Sequence, residues 1–251
     1  MSGPVSERES NNRIKAVSTM FKIVESLRDR ERTGVSELAD RLDMPKSTVH
    51  VYLQTLADEG YVINEDGKYS LSHGFLEIGG AVRKQMSIYQ AARPEIDALS
   101  ADTGEVANLG IEEGGKRVLL YSAEPSEGVF DNSPVGQYTH MHWTALGKAL
   151  LAQLPDERVD DVVDRHGLPE ATENTITERE ALFEALDRIR DRGYAVEDEE
   201  RREGIKAIAV AFDPEIGSVP ASAWRSPDRS AASASRSSTA SCSTRSKRPS
   251  T

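Results

Sequence analysis

Six side chains between Lys46 and Gln54 could engage a nucleic acid: Lys46, Ser47, Thr48, His50, Tyr52 and Gln54. At helical spacing they stand opposite Val49, Leu53 and Leu56, so one side of the helix is apolar and the other carries amide, hydroxyl and cationic groups. Those groups match base edges and phosphates in a DNA major groove, and Gln54 can bond an adenine through two hydrogen bonds.

The flanking residues supply the scaffold that such a face needs. In VSELADRL, Val35, Leu38, Ala39 and Leu42 recur at helical spacing, with Ser36-Glu37 in the first turn. After a break at Asp43-Met44 the next helix opens on Pro45, tolerated where N–H groups have no helical partner. Tyr61-Val62-Ile63 and Lys68-Tyr69-Ser70-Leu71 read as a hairpin turned at Asp66-Gly67, which would set Lys68 and Tyr69 against a DNA backbone. Helix, break, helix and hairpin predict a winged helix-turn-helix on double-stranded DNA. The competing reading is a small helical domain with a solvated polar helix, or a helix-turn-helix used for protein contacts.

Other chemistry is sparse. His140 and His142 stand two apart on an expected strand and would share a face, a geometry that suits either a metal or two structural histidines; no third ligand is evident. Lys148 reads as a surface or packing residue, or as an anion contact near a helix start. The run Glu197-Asp198-Glu199-Glu200-Arg201-Arg202-Glu203 reads as a solvated face. No nucleophile paired with a base, phosphate loop or zinc signature is visible, so no cofactor is expected and an enzyme with a regulatory helical domain is the weaker alternative. The single cysteine, Cys242, offers neither a disulfide nor a cysteine cluster.

The 251 residues leave room for a small domain and a larger one. The formal charge of -11 is uneven: residues 217–251 hold six basic side chains against Asp228, so the acid sits in the rest. An acidic body is unusual for a DNA-binding protein, because phosphate contacts need positive charge. Nine lysines against 22 arginines suit a salt-loving cell, where strong screening removes the long-range repulsion. No stretch approaches the roughly 20 apolar residues of a membrane span, and MSGPVSERESNN lacks an apolar signal core, so a cytoplasmic protein with no membrane partner is expected.

Along the chain, residues 1–12 read as a disordered N-terminus and 13–71 as the DNA-binding domain. That domain begins with a helix from Arg13 to Arg30 whose Ile14, Val17, Met20, Phe21, Val24 and Leu27 make a broad stripe, part of which must cover the helix-turn-helix core while the rest could pair with a second copy. Residues 72–87 read as a linker helix with a hinge at Gly79-Gly80. Residues 88–219 mix helices and strands: a helix begun again near Pro94, with Ile96 and Leu99 inward and a stop at Gly104; strands over 106–111 and 117–122; an apolar helix in TALGKALLAQL; another from Pro155-Asp156; a helix from Thr177 to Arg192, boxed by Thr177 and Glu180 and closed at Gly193; and strands at Tyr194–Val196 and Ala207–Phe212. The fold class is α/β multi-domain, with an antiparallel sheet in the second domain.

With PKSTVHVYLQTL, the His142–Ala152 segment HWTALGKALLA and the Gly193–Ala207 segment GYAVEDEERREGIKA in view, the chain resembles the IclR family of transcriptional regulators from about Arg13 to Phe212. The resemblance implies a DNA-binding winged helix-turn-helix, a linker helix and a C-terminal GAF-like domain that senses a small-molecule effector, an organic acid or aromatic metabolite. It also implies a homodimer or dimer of dimers on a pseudo-palindromic operator. Carried over residue by residue, the effector site would draw on Ala145, Leu146, Gly147, Glu197 and, where the family has a cysteine, Ala207. The family's last strand and helix are not legible, because residues 220–251 turn Ser/Arg/Ala-rich without apolar period and read as a disordered tail. Codons permitted for Ala221–Arg229, read from the third base of the first, give Ile-Gly-Val-Ala-Val-Ala-Gly-Pro, close to the missing strand. A frameshift after about Val219 is inferred. A degenerate product that keeps only DNA binding is the alternative.

Overall fold

The computed structural model describes residues 14–28, 30, 32–125 and 133–211, and the backbone of 222–225. The expectations for 1–12, Phe212 and 226–251 lie outside the described residues. The chain divides into two compact units, residues 1–86 and 87–251.

In the first unit, α1 (Lys15–Arg28) precedes β1 (Thr33–Gly34), α2 (Val35–Leu42), α3 (Lys46–Asp58), β2 (Val62–Glu65), β3 (Lys68–Leu71) and α4 (Gly74–Gln85). Asp43, in the left-handed region at φ 51°, ends α2 and aims the chain into α3. The hairpin closes through Asp66 (φ 53°) and Gly67 (φ 78°), and Asn64 Oδ1 accepts from the Gly67 N–H at 3.1 Å. Short β1 adds a third strand on β3, which the sequence reading did not anticipate. Ile23, Leu27, Leu38, Val49, Leu53, Leu56, Val62 and Tyr69 form the core. The stripe on α1 divides: Ile23 and Leu27 are buried with Met20 and Val24 beside them over the core, while Ile14, Val17 and Phe21 stay 70%, 46% and 51% exposed. The glycine hinge is corrected. Helix α4 runs unbroken through Gly79-Gly80, and the helical path stops instead at Met86, which is extended.

The second unit is a mixed α/β layer structure on a six-stranded antiparallel sheet ordered β6-β5-β4-β9-β8-β7. Its elements are α5 (Ser87–Thr103), β4 (Val106–Glu113), β5 (Lys116–Ala123), β6 (Tyr138–His140), α6 (Ala145–Ala152), α7 (Asp156–His166), α8 (Arg179–Arg192), β7 (Ala195–Asp198), β8 (Lys206–Ala209) and β9 (Ser222–Arg225). Helix α5 continues through Pro94 rather than restarting there, and buries Ala92, Ile96 and Ser100. Tyr121, opposite Leu109 in the sheet, donates to Asp97 of α5 at 2.6 Å, which fixes α5 on that face. The other face carries α6 and α8, packed with Ala195, Ala209 and Leu186. Helix α8 starts at Arg179 with Glu178 as its cap and no side-chain cap bond, so the expected Thr177/Glu180 box does not form; its close at Gly193 (φ 79°) does.

One expectation about the tail is overturned. Ser222–Arg225 form β9, a central strand between β4 and β8, with Ala223 opposite both Ala107 and Ile208. Strand pairing uses main-chain groups that every non-proline residue carries, so the lack of apolar period in SAWR did not prevent it.

Candidate functional site

On α3 the apolar side chains Val49, Leu53 and Leu56 are buried, which turns Lys46, Ser47, His50 and Gln54 outward as exposed residues. Thr48 and Tyr52 are half-buried at the margins of that face, and Lys68 is exposed on the hairpin. Tyr69 does not belong to the surface. It is 2% exposed in the core, and its phenol oxygen accepts from Asn64 Nδ2 at 3.2 Å. Alternation decides this: on β3 the residue after an outward Lys68 must point in. Val51, 61% exposed amid the polar face, is the residue that sequence reasoning missed. It stands four residues from Ser47 and three from Gln54, on their side, and an apolar group there suits a thymine methyl. The first turn of α3 holds no acidic residue and no side-chain cap; the Thr48 and Val49 N–H groups donate to the Pro45 carbonyl at 3.0 and 3.1 Å. Arginines nearby are engaged internally: Arg41 bonds Ser26 and Glu37, and Arg32 pairs with Glu65 at 2.5 Å.

In the second unit the start of α6 meets β7. Thr144 caps the helix, its Oγ1 accepting from the Gly147 N–H at 2.9 Å. Gly147 is dictated by approach: a Cβ there would stand 2.2 Å from the Met141 carbonyl oxygen and 2.7 Å from its Cα. Leu146 packs 5% exposed. Glu197 lies beneath the helix start, with Oε2 accepting from the Ala145 N–H at 3.2 Å and Arg201 Nε 3.7 Å from Oε1. Burial, partly offset by Arg201 and the Ala145 N–H, pushes the Glu197 carboxyl up to about 7. Ala207 pairs with Glu197 across the strands. All five expected effector residues therefore converge on one corner.

Two readings of this corner are corrected. Lys148 is 3% exposed, not a surface residue, and pairs with Glu200; burial lowers its pKa against the raising effect of that carboxylate. The acidic run is not a solvated face either: Glu197 is buried, Glu200 largely so, and the backbone is held from outside. Thr172 Oγ1 donates to the Glu199 carbonyl at 2.7 Å and Thr175 Oγ1 to that of Glu200 at 2.6 Å. These threonines had no signal in the sequence because their partners are main-chain atoms more than twenty residues away.

The two histidines do not share a strand face. Strand β6 ends at His140, and His142 lies in a tight helical turn, its Nε2 3.1 Å from the Pro169 carbonyl. His140 lies 3.0 Å from Lys116 Nζ, and burial first, then that ammonium, lowers its pKa to about 4. Among the described residues no group of three His, Cys, Asp or Glu could hold a metal. No described helix is long and apolar enough to cross a membrane.

A winged helix-turn-helix joined to a separate α/β domain with a polar buried corner is the build of a two-domain transcription regulator. Family models agree: the IclR helix-turn-helix domain matches residues 16–65, and the bacterial transcriptional regulator IclR C-terminal domain matches 80–222. The chain belongs to the IclR family, DNA-binding regulators with a C-terminal effector-binding domain, and not to an enzyme family. It is 32% identical over 208 residues to the HTH-type transcriptional regulator KdgR of Escherichia coli, covering 82% of this chain and 79% of that one. ArcR of Halobacterium salinarum, described as a probable HTH-type transcriptional regulator, is 31% identical over 202 residues, 79% of this chain and 77% of its own. Among solved structures, IclR of Thermotoga maritima superposes with a TM-score of 0.68 at 27% identity, covering 86% and 89% of the two chains.

Proposed function

We propose that this protein controls transcription in the cytoplasm by binding an inverted-repeat operator, as a homodimer or dimer of dimers, and responds to a small organic acid or aromatic metabolite. The observation that carries the DNA-binding half is the outward polar face of Lys46, Ser47, His50 and Gln54 on a helix whose opposite side is core. Thr48 and Tyr52 flank the contact, and Lys68 meets the phosphate backbone from the wing. Exposed Ile14, Val17 and Phe21 on α1 support pairing with a second copy, because an apolar stripe of that size is costly to leave in water. For the effector, the convergence of Ala145, Leu146, Gly147, Glu197 and Ala207 supports a site at the α6–β7 corner of a GAF-like domain. A structural relative from Microbacterium hydrocarbonoxydans, 24% identical, was crystallised with 4-hydroxybenzoate. The acid-rich body, together with a Halobacterium relative, supports a salt-loving source.

The frameshift reading gains support from two observations: the family match stops at residue 222, and β9 stands where the shifted frame spells Ile-Gly-Val-Ala. Resequencing the locus tests it. Footprinting in molar salt on DNA flanking the gene tests the regulator. An inverted repeat with half-sites about one helical turn apart is expected, and failure to protect any site refutes it.

A further inference from the structure

Helix α3 turns outward a stripe with no lysine or arginine at its centre. Ser47, His50, Val51 and Gln54 fall at i, i+3, i+4 and i+7, and all four are exposed. At about 100° per residue they share an arc of roughly 100°, centred about 140° from the buried stripe of Val49, Leu53 and Leu56. Lys46 stands at the margin, about 90° from that centre. One turn beyond Gln54 the stripe reaches Asp58, exposed and followed by exposed Glu59. DNA phosphates repel these two carboxylates, so the Lys46 end of α3 is the end that enters a groove.

Val51 is the residue that does not fit a purely structural role. It stands 61% exposed in the middle of the stripe and takes no part in the core of the first unit. A valine there leaves apolar surface in water and, being β-branched, forms a helix less readily than alanine, lysine or glutamine. The compensating contact lies outside the unit. In a major groove one base feature is apolar, the C5-methyl of thymine.

The neighbours of Val51 narrow the setting. Gln54, three residues on and on the same side, matches N6 and N7 of adenine, and the stripe offers no Arg or Lys for O6 and N7 of guanine. The helix rises about 4.5 Å from Val51 to Gln54, against about 3.4 Å for one base step. The two side chains therefore address the same or neighbouring base pairs.

We propose that Val51 is a specificity-determining residue that reads a thymine methyl on the base pair bonded by Gln54 or on the pair beside it, so that each operator half-site has an A·T centre. This rests on the DNA-binding reading of α3.

Selection by the full chain from a randomised DNA duplex library in molar salt tests it, followed by base substitutions in the recovered site. The same selection with Gln54→Ala marks the adenine, as the position at which preference is lost. A required thymine is expected in that pair or the next. Deoxyuridine in its place removes the methyl and keeps every hydrogen-bonding group. This change should weaken wild-type binding about three- to fivefold, the value of one methyl-sized apolar contact, and leave Val51→Ala unaffected. With cytosine at the same position, 5-methylation should strengthen wild-type binding by a similar factor and again leave Val51→Ala unaffected. Because Val51 is exposed, the variant should keep its helix content by circular dichroism. A deoxyuridine penalty that persists in Val51→Ala overturns the proposal, as does the absence of a penalty at every thymine or a G·C centre in the half-site. A shift in oligomeric state of Val51→Ala by light scattering, with no change in base preference, would assign Val51 to a protein contact instead. Failure to enrich any sequence would remove the DNA-binding reading itself, a result distinct from an enriched site that is indifferent to the methyl.

Discussion

Replacing Glu197 by glutamine should stabilise the second unit above neutral pH. The carboxyl lies 4% exposed under α6, bonded to the Ala145 N–H, with Arg201 Nε 3.7 Å away rather than in hydrogen-bond contact. Burial raises its pKa from an ordinary 4.5 to about 7. The folded unit therefore holds this proton more tightly than the unfolded chain. Its contribution is fully present below about 4.5 and is lost as pH rises through about 7. The interval corresponds to roughly 3 kcal/mol by pH 8, at about 1.4 kcal/mol per tenfold change in proton affinity. Glutamine keeps an acceptor for the Ala145 N–H and cannot ionise, so the variant should lose this slope. Both tryptophans, Trp143 and Trp224, belong to residues 87–251, so selectively excited tryptophan fluorescence follows the second unit during urea unfolding. At pH 5 the two proteins should have similar midpoints, and by pH 8 the variant should be the more stable by a few kcal/mol. A wild-type midpoint that does not fall relative to the variant between pH 5 and 8 would refute the assignment of a buried, only partly compensated carboxyl.

Three further outcomes are expected. Gln54→Ala should cost about 1–3 kcal/mol of discrimination at one base pair, while Lys46→Ala weakens all sequences alike and flattens the salt dependence, both read from retention on operator and mutated operator. Gly147→Ala should destabilise the second unit by at least 1–3 kcal/mol, since the methyl meets unyielding backbone of Met141, and leave operator binding by the first unit in place; an unchanged urea midpoint would contradict the packing. Phe21→Glu should shift the protein toward monomer by light scattering and weaken binding to the paired repeat more than to a half-site. A persistent dimer would place the interface elsewhere.

The order of elements in the first unit was legible because each rests on local chemistry: Pro45 before α3, Asp66-Gly67 for the left-handed turn, and Val49, Leu53 and Leu56 at helical spacing. The same locality explains the errors. Tyr69 reads as a surface aromatic until pleat alternation turns it inward, Gly79-Gly80 reads as a hinge although two glycines cost a helix only about 2 kcal/mol, and the Thr177/Glu180 pair reads as a capping box although α8 begins at Arg179.

What the sequence determined alone is therefore the helix-turn-helix, its hairpin and the mixed α/β class, since period and turn chemistry act within a few residues. Tertiary structure decided the rest. Glu197 through Glu203 is acidic enough to pass for a solvated face, and only the approach of α6, more than forty residues earlier, buries Glu197 and pairs Glu200 with Lys148. Burial of charge depends on what packs above it, and that partner is set by the topology of the sheet rather than by neighbours in the chain.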